Sequence, residues 1–216
     1  LYCQGLAMRK LLIPLLFLLN FSPSVQAQMN TDVVINEVFY GGGSTQDWVE
    51  LKNTGSGAIN VSTWWFCSRF VYRQLGALTI LVGDDYVLQP DEILVVGTGV
   101  DLNGVTGSDL GLYQVNNFGD PNQMVDFVQW GVDTRVGRSN EAQTRGVWTT
   151  GQPTPVDFVP LAQPGESTVY CGTNSGGGLL TLSSDFMTGT PSQGAENDML
   201  CFIQELIFAD GFEEVI

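Results

Sequence analysis

The sequence predicts an all-β domain, a sandwich or a barrel of short strands. Three observations point there. Short runs of β-branched and aromatic residues recur along the chain, and clusters of Gly, Asn, Asp and Pro separate them. Between Thr31 and Gly194 there is no long stretch of helical period.

The first strand is expected over 33–40 (VVINEVFY), stopped by Gly41-Gly42-Gly43. The second covers 47–53 (DWVELKN) and meets the turn Thr54-Gly55-Ser56-Gly57. Within it, Val49 and Leu51 share one face and Trp48 and Glu50 the other, because strand side chains alternate. A run over 59–66 follows, in which Trp64 and Trp65 must point in opposite directions, one into the core. Further strands are expected over 78–81, 92–96 (EILVV), 110–114 (LGLYQ), 124–130 (MVDFVQW) and 167–171 (STVYC). The stretch 137–164 is poor in apolar residues and reads as irregular coverage over one side of the domain, anchored by Val147 and Trp148. Residues 175–178 read as a turn, and 188–197 (TGTPSQGAEN) as the end of the domain. Beyond it, Met199, Phe202, Ile203, Leu206 and Ile207 fit a helical stripe, while 206–208 equally fits a short strand.

The N-terminus carries the pattern of a secretory signal peptide. Arg9 and Lys10 follow Met8, an apolar run covers 11–19, and Val25-Gln26-Ala27 is a small-residue cleavage site. The run is far shorter than the roughly 20 residues a spanning helix needs. Residues 1–27 are therefore expected to be a signal peptide, 1–7 preceding the better start at Met8, with Gln28 as the mature N-terminus. No cysteine follows the run, which argues against a lipid anchor. Removing Arg9 and Lys10 leaves 23 acids against 6 bases, a charge of −17. So negative a surface repels phosphate backbones and anionic lipid, and neither nucleic acid nor stable membrane insertion is expected.

Three cysteines remain: Cys67, Cys171 and Cys201. All three pairings are open, as is a set of buried thiols, but Cys171 with Cys201 is favoured because it would pin the C-terminal stretch to the domain.

These elements together resemble the lamin-tail domain family, immunoglobulin-like modules found in nuclear lamins and in secreted bacterial proteins. The resemblance rests on Val34-Ile35-Asn36-Glu37-Val38, on Asp47-Trp48-Val49-Glu50-Leu51 with Asn53, on Val61-Ser62-Thr63-Trp64, and on Leu88-Gln89-Pro90-Asp91-Glu92 running into 93–96. Leu110-Gly111-Leu112 and Val125-Asp126-Phe127 match later strands, and Thr190-Pro191 with Gly194-Ala195-Glu196-Asn197 matches the family's closing phrase. Thr63 departs from the glycine usual there. The resemblance implies an immunoglobulin-like β-sandwich over 28–197, followed by a tail over 198–216. Asn36, Glu37, Asp47, Trp48, Glu50, Asn53 and Trp64 are then expected to hold the fold together, with Asp47 and Asn53 serving turns.

Catalytic chemistry is sparse. Without histidine there is no Ser-His-Asp or Cys-His site and no histidine-bound zinc, and no C-x-x-C or phosphate-binding loop is present. No catalytic residue and no obligatory cofactor is assigned. Carboxylate chemistry is the remaining enzymatic option, an extracellular hydrolase using Asp84, Asp85 or Asp126; the adjacent pair Asp91-Glu92 reads, like Asp84-Asp85, as turn charges. Calcium is the more serious small-ligand candidate: Asp101-Leu102-Asn103-Gly104 starts like a calcium loop, with its glycine too early and no closing glutamate, and Asn116, Asn117 and Asp120 could add oxygens. The tail 205–214 (ELIFADGFEE) resembles endings that recur on exported Gram-negative proteins, which would make it a sorting tag; a docked last strand or helix is the alternative. The leading expectation is a non-catalytic extracellular module that binds a protein or a surface glycan, with a calcium-stabilised module and a hydrolase as alternatives.

Overall fold

The computed structural model describes residues 32–40, 47–148, 157–172, 181–197 and Cys201. The signal-peptide residues, the glycine loop 41–43, the turn 175–178 and the tail beyond Cys201 lie outside them.

Two antiparallel sheets face each other. The first contains β1 (Val33–Phe39), β2 (Trp48–Asn53), β6 (Thr79–Val82), β8 (Ile93–Gly97), β11 (Ser167–Tyr170) and β12 (Phe186–Gly189), in the order β12-β11-β1-β2-β8-β6. The second contains β4 (Trp65–Ser68), β5 (Val71–Gln74), β9 (Ser108–Tyr113) and β10 (Met124–Trp130), in the order β10-β9-β4-β5. A small ribbon pairs β3 (Ile59–Asn60) with β7 (Val87–Leu88). The fold is an immunoglobulin-like all-β sandwich, as the sequence predicts.

Period-two alternation sends Ile35, Val38, Val49, Leu51, Leu94 and Val96 of the first sheet inward against Phe66, Leu110, Leu112 and Val128 of the second. A β-bulge in β1 keeps that alternation in phase with the core. Ile35 pairs with Leu51 and Glu37 with Glu50, so Asn36 is the extra residue. Ile35 and Val38 both reach the core across this bulge, while Asn36 and Glu37 both face outward.

The expected run over 59–66 is two strands. Trp64 N–H donates to Val61 O (2.9 Å), closing a turn that sends the chain from the ribbon into the second sheet. Thr63 sits in this turn, and no residue from Ser62 to Ser68 has positive φ, so glycine is not required there. Trp64 is core; Trp65 points the other way and finds cover from the edge of the Phe118 ring, 5.8 Å between centroids. Of the coverage expected over 137–164, the described part 137–148 lies on the outer face of the second sheet. Val147 and Trp148 are its buried anchors, with Trp148 set edge-on to Phe127 at 5.8 Å. It also contains one short helix, α1 (Ser139–Arg145), ended by Gly146 in the left-handed region (φ 80°). Seven residues are too few to display a helical period, and strands β5, β7 and β12 are likewise too short to stand out. Among the described residues no helix is long and apolar enough to cross a membrane.

Cys171 and Cys201 form a disulfide, and Cys67 is a buried free thiol. A bridge closing a 30-residue separation restricts the unfolded chain by about 3–4 kcal/mol. Cys171→Ser is expected to lower the unfolding free energy by that order in urea titrations, and reductant to do the same to the native protein. A midpoint indifferent to both would show that the bridge does not close in solution.

Candidate functional site

Two polar constellations stand out, one buried and one at the surface. The buried one gathers the motif acids. Glu37 and Glu50 lie side by side on the outer face of the first sheet, both fully buried, with no cation among their hydrogen-bonding partners. The segment 190–197 crosses over them. The Ser192 hydroxyl donates to Glu37 Oε2 (2.5 Å), the Ser192 N–H to Glu37 Oε1 (3.1 Å), and the Ser167 hydroxyl to Glu37 Oε1. Glu50 accepts from Asn36 Nδ2 (2.6 Å) and from the Gly194 N–H (2.6 Å). Gly194 has a φ of 84°, and a Cβ there would come within 2.7 Å of Val82, so only glycine brings this N–H so close to the sheet. Asn197 Nδ2 then donates to Asn36 O (3.1 Å) and Tyr170 O (3.0 Å), tying the segment across β1 and β11. The other face of β2 is thus a second buried layer, where Trp48 also stacks on Phe39 at 5.6 Å.

Asp47 and Asn53 of the motifs also spend hydrogen bonds inside the domain. Asp47 Oδ2 accepts the Leu102 N–H (2.7 Å), and Asn53 holds its turn through Gly55 N–H (2.9 Å), Gly57 O (2.8 Å) and Leu88 O (3.0 Å). Asp126, weighed above as a catalytic acid, is buried between the sheets. Its carboxylate accepts the Ile35 N–H (2.7 Å) and the Phe127 N–H (2.8 Å), joining β10 to a stretch of β1 that β11 does not reach. It is a clasp rather than a group presented to a substrate. Asp84 and Asp85 are exposed in the turn after β6, where Asp85 Oδ1 accepts the Val87 N–H (2.6 Å).

The calcium candidates each serve their own loop. Asp101 accepts the Asn103 N–H (2.7 Å), Asn103 accepts the Thr106 hydroxyl (3.0 Å), and Asp120 accepts the Asn122 N–H (3.0 Å). Those donors hold the exposed Asp120 carboxyl below its ordinary range. Among the described residues no three acidic or thiol side chains gather as a metal site. Burial pushes the Cys67 thiol up to about 12, so it is not a thiolate at neutral pH.

The surface constellation was not anticipated from the sequence. Residues 32–197 contain five arginines: Arg69, Arg73, Arg135, Arg138 and Arg145. They fall in two segments, whose backbones meet at Arg69 and Arg138 on the second sheet. The buried Asp109 carboxylate accepts the backbone N–H of Arg69 (2.8 Å) and of Arg138 (3.0 Å). Gly137 makes this approach possible, since a Cβ there would lie 2.2 Å from Asp109 Oδ2. Arg69 and Phe70 form the two-residue turn between β4 and β5, both with positive φ (45° and 67°), a strained conformation that the Asp109 bond helps to hold. The Arg138 guanidinium lies 5.0 Å over the Phe70 ring, bonds to Tyr72 Oη (2.7 Å) and pairs with Glu141 (2.7 Å). Arg69 is exposed, as is more than half of Phe70 (57%); Arg73 and Val71, also exposed, lie on the opposite face of β5 from Tyr72, and Arg135 donates to Asn140. The sequence signal was there: in a chain with six bases outside the signal-like segment, five are arginines confined to 69–73 and 135–145.

A family model for the lamin tail domain matches residues 26–169. The chain belongs to the lamin tail domain family. The match confirms the resemblance read from the motifs and makes this an immunoglobulin-like module of a non-enzymatic family. It stops short of the closing phrase at 190–197, which nevertheless covers the buried Glu37 and Glu50. No curated protein and no solved structure matched the chain.

Burial pushes the Glu50 carboxyl from 4.5 up to about 7, against the pull of Gly194 and Asn36, and pushes Asp126 from 3.8 up to about 6. Both groups bind a proton more tightly folded than unfolded. Their contribution is therefore complete below the ordinary carboxylate range and is lost as pH rises through about 6 and then about 7. The unfolding free energy is expected to fall between pH 5 and pH 8, by about 1–1.5 kcal/mol for Asp126, part of whose loss comes below pH 5, and by about 2.5 kcal/mol for Glu50. Denaturant titrations across that range check this, with Glu50→Gln flattening part of the slope and so separating it from general charge repulsion. Stability that rises with pH, or a slope that Glu50→Gln leaves intact, would refute the assignment.

Proposed function

We propose that this lamin tail domain is an exported, non-catalytic binding module, and that it meets its partner with the arginine corner. The observation that carries the reading is the meeting of the two arginine-bearing segments at Asp109, which sets the exposed Arg69 and Phe70 beside the Arg138 guanidinium in a strongly acidic protein. Guanidinium groups suit the recognition of anionic groups, which they bind through paired N–H donors. Exposed arginine and aromatic side chains are also the usual anchors of binding surfaces. The motif acids, in contrast, spend their hydrogen bonds inside the domain. Export is supported by the charged start, short apolar run and cleavage site of residues 8–27, and by a disulfide, which persists in oxidising compartments.

Two measurements test this. Mass spectrometry of protein recovered outside the cytoplasm should give a chain beginning at Gln28; a chain retaining residues 11–19 contradicts export. In capture experiments against envelope protein and glycan fractions, the mature protein should retain a component that the triple variant Arg69→Asn, Arg73→Gln, Arg135→Gln loses, while Lys52→Gln retains it. Asn is chosen at position 69 because it tolerates positive φ. Capture unaffected by the triple variant would place the binding surface elsewhere.

A further inference from the structure

The segment that closes over Glu37 and Glu50 is bound to the sheet unlike any other part of the domain. We propose that residues 190–197 act as a pH-responsive strap. It lifts from the first sheet by a local opening that the sandwich survives, and it does so more readily once Glu50 has lost its proton.

Three features of the strap point to a local opening. First, it is held by polar contacts. Its sequence, TPSQGAEN, has no apolar side chain larger than Pro191, and none of its side chains belongs to the apolar core. Ser192 and Gly194 bond to Glu37 and Glu50, Lys52 pairs with Glu196 (2.7 Å), and Asn197 alone is buried. Lifting the strap gives up hydrogen bonds that water can replace, and little hydrophobic burial. Second, its backbone is strained: Gln193 has a positive φ (26°) next to that of Gly194 (84°), and opening releases it. Third, both ends are anchored. Gly189 pairs with Ser167 of β11 before the strap, and Cys201 is bridged to Cys171 after it. An opened strap stays tethered over its own site.

Glu50 couples the opening to pH. It lies directly across from Glu37 in the register of β1 and β2. With the strap closed it accepts from Asn36 Nδ2 and from the Gly194 N–H (both 2.6 Å), whereas an ionised carboxylate can accept about four such bonds. The charged groups around it bring no relief. Glu37 on β1 and Glu196 in the strap are both acids, and the Lys52 ammonium on β2 is spent on Glu196. Strands β6, β8, β11 and β12 carry no charged side chain. Ionised Glu50 is therefore short of donors, and water admitted under the strap supplies them. Burial in the closed state pushes this carboxyl from 4.5 up to about 7. The closed strap thus favours the protonated form and the open strap the ionised one, so opening grows as pH rises from about 5 and levels off above about 7.

Hydrogen exchange of the intact, oxidised mature protein tests this, read at the Ser192 and Gly194 amides and corrected for the intrinsic rise of exchange with pH. The opening constant at both is expected to grow roughly 50- to 100-fold between pH 5 and pH 8, most of it below pH 7. At pH 8 this exchange should be indifferent to low concentrations of urea, because a local opening exposes little surface, while the amides of β9 and β10 exchange faster as urea is added. Glu50→Gln, neutral at every pH, should remove the rise. Strap amides that follow urea in step with those of β9 and β10 would overturn the inference, since the strap would then leave only when the whole domain unfolds; this outcome is read on the native protein and needs no variant. A rise with pH that persists in folded Glu50→Gln would overturn it as well.

Discussion

Two carboxylates, buried with no cation among their hydrogen-bonding partners in the described residues, constrain this domain more than any other feature. Taking a charge out of water costs several kcal/mol unless its oxygens are met by donors. Glu37 and Glu50 are met by hydroxyls and by backbone N–H groups, three of those donors coming from Ser192 and Gly194. The acids on β1 and β2 therefore require a segment that lies more than 140 residues later in the chain. That segment in turn requires glycine at 194, and Asn197 and the Cys171–Cys201 bridge fix its end. The closing phrase is a working part of the sandwich, even though the family match ends before it.

The same economy runs through the second sheet. Asp126 supplies a carboxylate where β1 lacks a neighbouring strand, and Asp109 supplies one where a strained turn and a glycine loop meet. These two acids stand in for backbone pairing that the strands themselves do not complete. The corner that collects the arginines is a by-product of Asp109 doing this: the carboxylate that holds the Arg69 turn also holds Arg138, and Arg138 then orders Phe70.

The strands with strong alternation were legible in the sequence because one face of each enters the core: β1, β2, β8, β9 and β10 lie close to where their patterns put them. The bulge at Asn36 was not legible. It shows only when Ile35 and Val38, three apart, both turn out to face inward. Without it, Glu37 would have shared the core face with Ile35. The partners of the motif acids were not foreseen, since a serine and a glycine N–H carry no periodic signal. Asp126 read as a loose carboxylate because burial between sheets depends on tertiary pairing, not on local sequence. The disulfide was one of three possible pairings, favoured for the stretch it would pin, and geometry has decided it. The arginine corner was visible only as an uneven distribution of bases, and it became a site when Asp109 joined its halves.

The central claim is that the closing segment stabilises the sandwich by satisfying the buried acids. A double-mutant cycle between Glu37→Gln and Ser192→Ala, read by urea unfolding at pH 8, measures that interaction directly. The account predicts a coupling of about 1–3 kcal/mol between the two positions. Additive effects, with no coupling beyond experimental error, would contradict it.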